Sequence, residues 1–224
     1  MLRRALTWLL CTLLGLAALS LLWVGSYRVI NPPTSFLMLR DRIDGIQVKQ
    51  QWVPLSDLPR HLPRAVIAAE DSRFCSHHGF DLDAIRDAMA ANAEGDRLRG
   101  ASTISQQTAK NAFLWPGRTM LRKGVEAWFT LLIERLWGKA RILEVYLNIA
   151  EFGRGVFGVE AAAQHYFGKP AHSLSQLQAA RLAAILPQPI KRSASAPGPY
   201  TRRYAGQILA RTRVVERDRL DSCL

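Results

Sequence analysis

The chain has 224 residues, which is enough for one globular domain and one additional short element but not for an array of domains. Hydrophobic residues make up 49% of the sequence and aromatic residues 8%, a composition typical of a packed protein and not of a disordered tail. Lysine and arginine (30) outnumber aspartate and glutamate (18), so the formal charge is +12 and the surface attracts anions. Nucleic acid, acidic lipid headgroups and phosphorylated substrates all fit that charge, which does not choose among them.

An uncharged, leucine-rich run extends from Ala5 to Ser26. It reaches the roughly 20 residues that a helix needs to cross about 30 Å of hydrocarbon. Trp8 and Trp23 lie near its two ends, where aromatic rings prefer the headgroup region. Because two arginines precede the run, the positive-inside rule places the N-terminus in the cytoplasm and, in a bacterium, the following residues on the periplasmic side of the inner membrane. We therefore divide the chain into a cytoplasmic tail (1–4), a transmembrane helix (5–26), a connector (27–54) and a periplasmic domain (55–224).

A cleaved signal peptide is the alternative interpretation of this run. Its apolar core would span about 7–15 residues and end in a small-residue cleavage site. The run here is longer, and Ala17, Ala18 and Ser20 are followed by more leucine and by Trp23 instead of polar sequence. An uncleaved anchor is therefore favoured.

The sequence Asn31-Pro32-Pro33-Thr34 ends any continuing helix. The residues after it, to about Pro54, have a weakly extended pattern. From there it predicts helices joined by short loops, without an internal repeat and without a convincing sheet. The expected fold class is therefore mostly α. The first predicted helix carries residues 65–70, with Pro63 in its first turn, and the second follows a cap at Asp81. The other predicted helices cover 103–113, 119–137, 140–152, 156–166, 174–186 and a basic amphipathic tail at 201–220.

Three cysteines, Cys11, Cys75 and Cys223, lack the spacing of metal ligands, and their odd number excludes a fully paired disulfide framework. Cys11 lies in the apolar run and is interpreted as a small hydrophobic residue. A bridge between Cys75 and Cys223 would suit an oxidising compartment, but nothing in the local sequence supports it. We therefore do not expect that bridge.

Two adjacent carboxylates, Glu70 and Asp71, end a predicted helix and are followed by His77, His78 and Gly79. Such a group is unusual on a surface that serves structure alone. The structural alternative is that Asp71 is solvated and that Glu70 pairs with a nearby cation.

A second polar group lies on the helix that Thr103 and Gln106 open with capping-box spacing. Thr103, either Gln106 or Gln107, and Lys110 share one helix face. This face offers hydrogen bonds and a positive charge to an anionic or sugar ligand. The alternative is a capped surface helix with an ordinary polar side.

Arg122, Lys123 and Glu126 form a third group, in which Arg122 and Glu126 are helical neighbours four residues apart. An exposed ion pair of this kind contributes only about 0.3–0.5 kcal/mol. The residues that follow, 127–133, are almost wholly apolar, which favours a functional site over surface decoration.

Together these segments resemble one family, the peptidoglycan glycosyltransferases of family 51 in their monofunctional form. Order and spacing agree over about residues 62–190. The matching residues are Glu70, Asp71, Phe74, His77 and Gly79; Gly100, Ser102, Thr103, Gln106, Gln107, Lys110 and Asn111; Arg122, Lys123, Glu126 and Glu134; 142–144 and 146–148; and Gly158, Ala161, Ala162 and 166–169.

The resemblance implies a lysozyme-like glycosyltransferase domain, with a large lobe and a smaller membrane-facing lobe around a cleft. It implies two lipid-linked substrates, lipid II and the undecaprenyl-diphosphate-linked growing glycan, and a transfer that releases undecaprenyl diphosphate with inversion. Membrane lipids are expected partners and nucleic acid is not, while proteins of cell-wall synthesis or division are the candidate protein partners. No cofactor is required, with Mg²⁺ or Mn²⁺ as a candidate aid.

The same resemblance implies that Glu70 is the general base for the sugar hydroxyl, a role that contributes about 10²–10⁴-fold. Lys110, Arg122 and Lys123 would neutralise the departing diphosphate. Glu126, the second catalytic glutamate, would orient Arg122 or hold the divalent cation. The expected substrate-binding residues are Asp71, Ser102, Thr103, Gln106, Lys110, Asn111, Arg122 and Lys123.

One position departs from the family pattern, because Gln178 stands where a glutamate is usual. This departure puts an ion pair at that position in doubt, but not the chemistry. A further expectation concerns the apolar segment Phe113-Leu114-Trp115, before Pro116 and Gly117, which we expect to enter the lipid interface.

Two other functions compete with glycan synthesis. A lysozyme-like hydrolase or lytic transglycosylase shares the fold class and a catalytic glutamate, but it needs an acid for a sugar leaving group and has no use for the cations. A membrane-tethered basic module that binds anionic glycans or lipids would keep its activity without Glu70. A nucleic-acid role is disfavoured because the anchor places the domain outside the cytoplasm.

Overall fold

The computed structural model describes residues 1–93, 102–117 and 119–224, and Gly100 of the motif set lies outside these ranges. The described residues contain ten α-helices and one small sheet, which confirms the expected mostly α fold. The helices are α1 (Leu2–Tyr27), α2 (Phe36–Ile43), α3 (His61–Glu70), α4 (Leu82–Ala93), α5 (Ile104–Phe113), α6 (Met120–Leu136), α7 (Lys139–Ile149), α8 (Val159–Phe167), α9 (Gln176–Ile185) and α10 (Pro199–Arg217).

The helices pack in two groups, one around α5 and one around α3. Helix α5 packs against both α6 and α7, and α3 packs against α9 and α10. One continuous apolar core runs through both groups, and its largest fully buried side chains include Phe74, Tyr146, Phe152 and Phe157. The turn between α3 and α4 therefore lies where the two helix groups meet.

A three-stranded sheet shows that the expectation of no sheet was wrong. Its order is β1–β3–β2, with β1 parallel and β2 antiparallel to the central β3. The helix predicted for 140–152 ends at Ile149, and the one predicted for 156–166 begins at Val159, because the residues between them turn back as a hairpin. Gly155 permits this turn with a φ of +72°, and a Cβ there would lie 2.6 Å from the carbonyl oxygen of Gln47. The strands are β1 (Lys49–Gln50), β2 (Glu151–Gly153) and β3 (Val156–Phe157).

The connector is more ordered than the extended segment that we expected. Helix α2 lies within it and begins at Ser35, whose hydroxyl accepts a hydrogen bond from Met38 N at 3.2 Å. Asp41 of α2 is fully buried and accepts a hydrogen bond from Gly155 N at 3.2 Å. The connector is thus fixed to the hairpin by a buried polar contact.

Two helices, α5 and α9, begin with a capping box. Thr103 and Gln106 make the reciprocal pair of contacts at the start of α5, as predicted. Ser175 and Gln178 do the same for α9, where Gln178 Oε1 accepts a hydrogen bond from Ser175 N at 2.9 Å. A glutamine performs this capping role without a charge, so the departure from the family pattern leaves the helix start intact.

The segment at the end of α5 corrects the expectation that it enters lipid as a unit. Phe113 and Leu114 are each only 3% exposed, whereas Trp115 is 45% exposed. Phe113 is interior because its ring stacks on Phe129 with centroids 4.7 Å apart. Further exposed apolar side chains of this region lie on α6, at Met120, Leu121, Trp128 and Leu131.

Cys75 and Cys223 form a disulfide with Cα atoms 5.5 Å apart, so our expectation that they do not pair was wrong. The partners are 148 residues apart, and they meet because α10 packs along α3. Arg64 of α3 supports this packing through ion pairs of 2.5 Å to Glu216 and 2.7 Å to Asp221.

Candidate active site

Glu70 is the last residue of α3 and is partly buried. Its Oε2 accepts a hydrogen bond of 2.8 Å from Gln107 Nε2, and Gln107 Oε1 accepts one of 3.2 Å from the hydroxyl of Tyr146. Tyr146 is fully buried, so its position on α7 is fixed by packing. This chain of two hydrogen bonds sets the orientation of the Glu70 carboxylate.

The surroundings of Glu70 favour its protonated form more than water does. Burial raises the pKa of Glu70 above its ordinary value of 4.5, while the Gln107 hydrogen bond and the charge of Lys110 act in the opposite direction. Burial also raises the pKa of Tyr146 well above 10.0, so this hydroxyl stays protonated and acts as a donor. The site thus holds a carboxylate with increased basicity.

Asp71 follows Glu70, and its buried carboxylate bonds other groups of the protein. Its two oxygens each lie 3.0 Å from His77 Nε2, and Oδ2 also accepts a hydrogen bond of 2.9 Å from Ile104 N. His77 Nδ1 accepts a hydrogen bond from Gly79 N at 3.1 Å, which assigns the neutral ring with its proton on Nε2. Asp71 therefore ties the start of α5 to the turn that follows Glu70.

Gly79 completes this turn at a place where only glycine fits. Its φ is +95°, and a Cβ would lie 2.9 Å from Thr130 Cγ2 and 3.2 Å from Glu134 Cγ of α6. The carbonyl oxygen of Gly79 accepts a hydrogen bond of 2.6 Å from the Thr103 hydroxyl. The turn thus connects α3, α5 and α6.

The polar face predicted on α5 divides into two parts. The side chains of Thr103 and Gln106 are buried in the capping box, whereas Gln107 and Lys110 lie toward Glu70. Asn111 follows Lys110 on the same helix and is partly buried.

A cavity of about 170 Å³ lies beside Glu70. Its lining includes Ser72 of the turn, the exposed Ser102 and Arg211 of α10. A larger cavity of about 730 Å³ lies at the C-terminal segment, but among the described residues none of the predicted site residues lines it. We therefore place the site at the smaller cavity, because Glu70 lines it.

Lys110 lies close to both Glu70 and the charged group on α6. Burial lowers its pKa from the ordinary 10.5, and the charges of Glu126, Arg122, Lys123 and Glu70 act on it in turn. Glu70 and the charged residues of α6 all act on Lys110, so the structure brings these predicted site residues into one region.

Arg122 and Glu126 lie on α6 with side chains only 10% and 4% exposed. Arg122 Nη1 is 3.5 Å from Glu126 Oε2, and Lys123 forms a second ion pair with the same carboxylate. Within the described part of the chain, the Nε–H of Arg122 is buried and has no hydrogen-bond acceptor. A buried guanidinium donor of this kind suits an anionic ligand.

The candidate divalent cation does not fit this group. Glu126 is contacted by two positively charged side chains, Arg122 and Lys123, which compete with a metal ion for its oxygens. Among the described residues no cluster of three or more aspartate, glutamate, histidine or cysteine side chains could supply the ligands. We derive no step through a metal ion.

The sequence left Gln107 open as an alternative to Gln106, and sequence reasoning missed two further residues that the structure places at the site. Gln107 had a usable signal, since the capping box assigns Gln106 to the backbone and leaves its neighbour for another role. Tyr146 was interpreted as a core residue, and no local pattern relates it to Glu70. Arg211 lies 141 positions after Glu70, and only the packing of α10 on α3 brings it there.

The sequence matches known proteins over most of its length. A family model described as transglycosylase matches residues 39–215. A relative from Caulobacter vibrioides, described as a biosynthetic peptidoglycan transglycosylase, is 50% identical over 216 residues, which cover 96% of this chain and 94% of the relative. Relatives with the same description from Rhodospirillum centenum and Pseudomonas aeruginosa are 52% identical over 225 residues (100% of this chain, 97% of the relative) and 54% identical over 202 residues (88% and 87%).

Proposed function

Because the chain belongs to the transglycosylase family, whose model matches residues 39–215, we propose that it builds peptidoglycan glycan strands from lipid-linked disaccharide units. Its mostly helical domain has the lysozyme-like fold of that family. Lipid II supplies the attacking sugar hydroxyl, and the growing glycan carries the undecaprenyl diphosphate that leaves. The new bond joins the hydroxyl oxygen to the anomeric carbon, while the bond from that carbon to the diphosphate breaks.

Glu70 is the base in this proposal. A sugar hydroxyl is a poor nucleophile at neutral pH, so a positioned carboxylate must accept its proton as the new bond forms. The raised pKa of Glu70 supports the role, because it makes the carboxylate a stronger base. Gln107 holds Oε2, and we assign Oε1 to the proton of the hydroxyl.

Lys110, Arg122 and Lys123, here called the cation cluster, receive the departing diphosphate. Charge develops on its oxygens as the bond to carbon breaks, and fixed positive groups stabilise that charge without reorganising. The buried Nε–H of Arg122 supports this role, since a phosphate oxygen is an acceptor that would satisfy it. Glu126 holds Arg122 and Lys123 in place through its two ion pairs.

One observation carries the assignment as a whole, namely the position of Lys110. Burial lowers its pKa, and the charges of Glu70 and of Glu126, Arg122 and Lys123 on α6 also act on it, so Lys110 lies near both groups. A single displacement needs both groups within reach of one substrate pair, with the base at the attacking oxygen and the positive groups at the leaving oxygen.

A glycan hydrolase is the competing function. It needs a protonated acid for its sugar leaving group, and a glutamate with a raised pKa suits that role as well. The cation cluster favours synthesis, because a sugar leaving group has no diphosphate charge to stabilise.

The test is incubation of the purified full-length protein with labelled lipid II. We expect a polymer that lysozyme degrades, release of undecaprenyl diphosphate, and no clearing of a suspension of purified cell walls. Clearing of the walls without polymer would assign the chain to the hydrolases instead.

We further propose that α1 crosses the inner membrane, with the N-terminus in the cytoplasm and the domain in the periplasm. The segment Arg3–Tyr27 is long and apolar enough to cross a membrane, and Arg3 and Arg4 favour this orientation. The exposed Trp115, Trp128 and Leu131 suit contact of the domain with membrane lipids. The Cys75–Cys223 disulfide supports the periplasmic side, because such bonds persist in oxidising compartments.

The disulfide gives a measurement of this topology. In intact cells we expect Cys75 and Cys223 to react with a membrane-permeant maleimide only after reduction. In the purified protein, Cys75→Ser should lower Tm by about 10–20 °C, because a ring of 148 residues contributes about 5 kcal/mol. Cys11→Ser, which removes the exposed thiol of α1, should leave Tm unchanged. Two thiols that react freely in unreduced cells would place the domain in the cytoplasm.

The pH dependence of kcat/KM should have two limbs, both displaced toward neutral pH. Protonation of Glu70 removes the base at a higher pH than for an ordinary glutamate, and deprotonation of Lys110 removes a cation at a lower pH than for an ordinary lysine. Gln107→Leu should move the acid limb to still higher pH, because the lost hydrogen bond had lowered the pKa of Glu70. Initial polymerisation rates across the pH range measure both limbs. An acid limb that stays in place in this variant would contradict the assignment of Glu70.

A further inference from the structure

The C-terminal end of α1, from Ser20 to Tyr27, packs directly against the domain. The last four carbonyl oxygens of a helix have no partner within it. In α1 the first of them, Val24 O, accepts a hydrogen bond of 2.7 Å from Trp137 Nε1, and the last, Tyr27 O, accepts two from Arg141 at 2.9 and 3.1 Å. The two carbonyl oxygens between them accept hydrogen bonds from backbone N–H groups just beyond the helix. The whole end of α1 is therefore satisfied, in part by side chains at the end of α6 and in α7.

Five rings form an aromatic cluster between α1 and the domain: Trp23, Tyr27, Phe113, Phe129 and Trp137. Trp23 contacts Phe113 and Phe129 edge-on, with centroid distances of 5.2 and 6.0 Å. Tyr27 stacks on Phe113 at 5.6 Å, and Phe113 lies 5.9 Å from Trp137. A single residue of the membrane helix, Trp23, thus contacts both α5 and α6.

The aromatic cluster lies one helical turn from the cation cluster. On α5, Phe113 is three residues after Lys110, and on α6, Phe129 is three residues after Glu126, which holds Arg122. Residues three apart are neighbours on a helix surface, so a displacement of either helix at the ring also displaces the charged residue one turn away. The position of α5 relative to α6 therefore depends on the packing of the aromatic cluster, and the positions of Lys110 and Arg122 depend on it in turn.

We propose that Trp23 and Tyr27 of the membrane helix are positioning residues for Lys110 and Arg122. The anchor is then a structural part of the apparatus that receives the departing diphosphate, in addition to keeping the enzyme near its substrate. This inference rests on the proposed function, because the cations matter only if a diphosphate leaves.

The two roles of the anchor differ in their kinetic effects. An anchor that only concentrates the enzyme at the membrane affects KM, since it changes how often substrate is met. An anchor that positions the cations affects kcat, because misplaced charges stabilise the transition state less while the ground state still binds.

The experiment compares full-length variants in proteoliposomes with labelled lipid II. Trp23→Ala should lower kcat about tenfold with KM changed by no more than about twofold, because small displacements of catalytic groups are costly. Inhibition by inorganic pyrophosphate should weaken in the same variant. Trp23→Phe, which keeps a ring against Phe113, should recover most of kcat. Tyr27→Leu provides a second, independent disturbance if Trp23→Ala does not accumulate as folded protein.

Trp8→Ala is the matched control, since Trp8 is on the same helix but is 74% exposed. It should leave kcat and pyrophosphate inhibition unchanged, and all variants should stay in the membrane fraction. A Trp23→Ala enzyme with wild-type kcat, or with a raised KM alone, would overturn this inference while the proposed function stands. A wild-type protein that makes no polymer would overturn the proposed function itself.

Discussion

Replacing Glu70 by glutamine is expected to slow the polymerisation of lipid II by about 10²–10⁴-fold, because an amide cannot accept the proton of the attacking hydroxyl. The change keeps the size and shape of the side chain. Its amide oxygen can still accept the hydrogen bond from Gln107, which spans 2.8 Å in the wild type, so the fold should be preserved. Initial rates with saturating lipid II measure the effect on kcat, and the melting temperature shows that the variant is folded.

The matched control for this variant is Asp218→Asn, the same chemical change at an exposed carboxylate. Asp218 pairs with its neighbour Arg217 at the surface, where an ion pair contributes little. This variant should polymerise at the wild-type rate. Polymerisation by the Glu70→Gln enzyme at that same rate would remove Glu70 from the mechanism.

Replacing Arg122 by alanine is expected to lower kcat by about 10²–10³-fold, the usual loss when one fixed donor to a developing negative charge is removed. The physical reason is the burial of the guanidinium, which makes its charge less screened than one at the surface. Inhibition by inorganic pyrophosphate should weaken in parallel, and the inhibition constant does not depend on the size of kcat.

Arg122→Lys separates charge from shape. Lysine keeps a positive charge near Glu126 but lacks the planar donor fork, so we expect only partial recovery of the rate. Arg217→Ala, an exposed arginine on α10, should behave as the wild type. An Arg122→Ala enzyme that retains both its rate and its sensitivity to pyrophosphate would show that the leaving group is stabilised elsewhere.

Local pairs were predictable from the sequence, because both partners lie within one helical turn. The cap of α5 by Thr103 and Gln106 is such a pair, and so is the contact of Arg122 with Glu126. The type of chemistry at Glu70 was predicted from the same short motifs through their resemblance to a family. What each motif residue contacts is a separate matter that spacing does not settle.

The polar residues of α5 and the preceding turn show this limit. Asp71 and Gln106 match the family motif, but their side chains hold the backbone of α5 in place. Gln107, one position further along, is the residue that contacts Glu70. Gln106 and Gln107 are about 100° apart around the helix and flank the line that joins Thr103 and Lys110, so the helical pattern does not choose between them. The backbone groups that need partners decide which side chain remains for the site.

Contacts between distant segments had no signal in a single sequence. Tyr146 reaches Gln107 across 39 positions, and Trp137 reaches the carbonyl oxygen of Val24 across 113. Both depend on the order in which helices pack, which composition and periodicity leave open. The short strands were missed for a related reason, since two- and three-residue strands are too short to show an alternating pattern.

The distance in sequence between Cys75 and Cys223 has a consequence for the biogenesis of the protein. If the chain is exported as it is made, at about 5–20 residues per second, the second thiol emerges roughly 7–30 s after the first. During that delay Cys75 waits as an unpaired thiol, and the other thiol already present is Cys11, in the membrane helix. In the proposed topology lipid separates those two thiols, so Cys75 would be protected from mispairing. Lys110, Arg122 and Lys123 all lie between the two cysteines, and the covalent ring around them closes only after Cys223 has left the translocation channel.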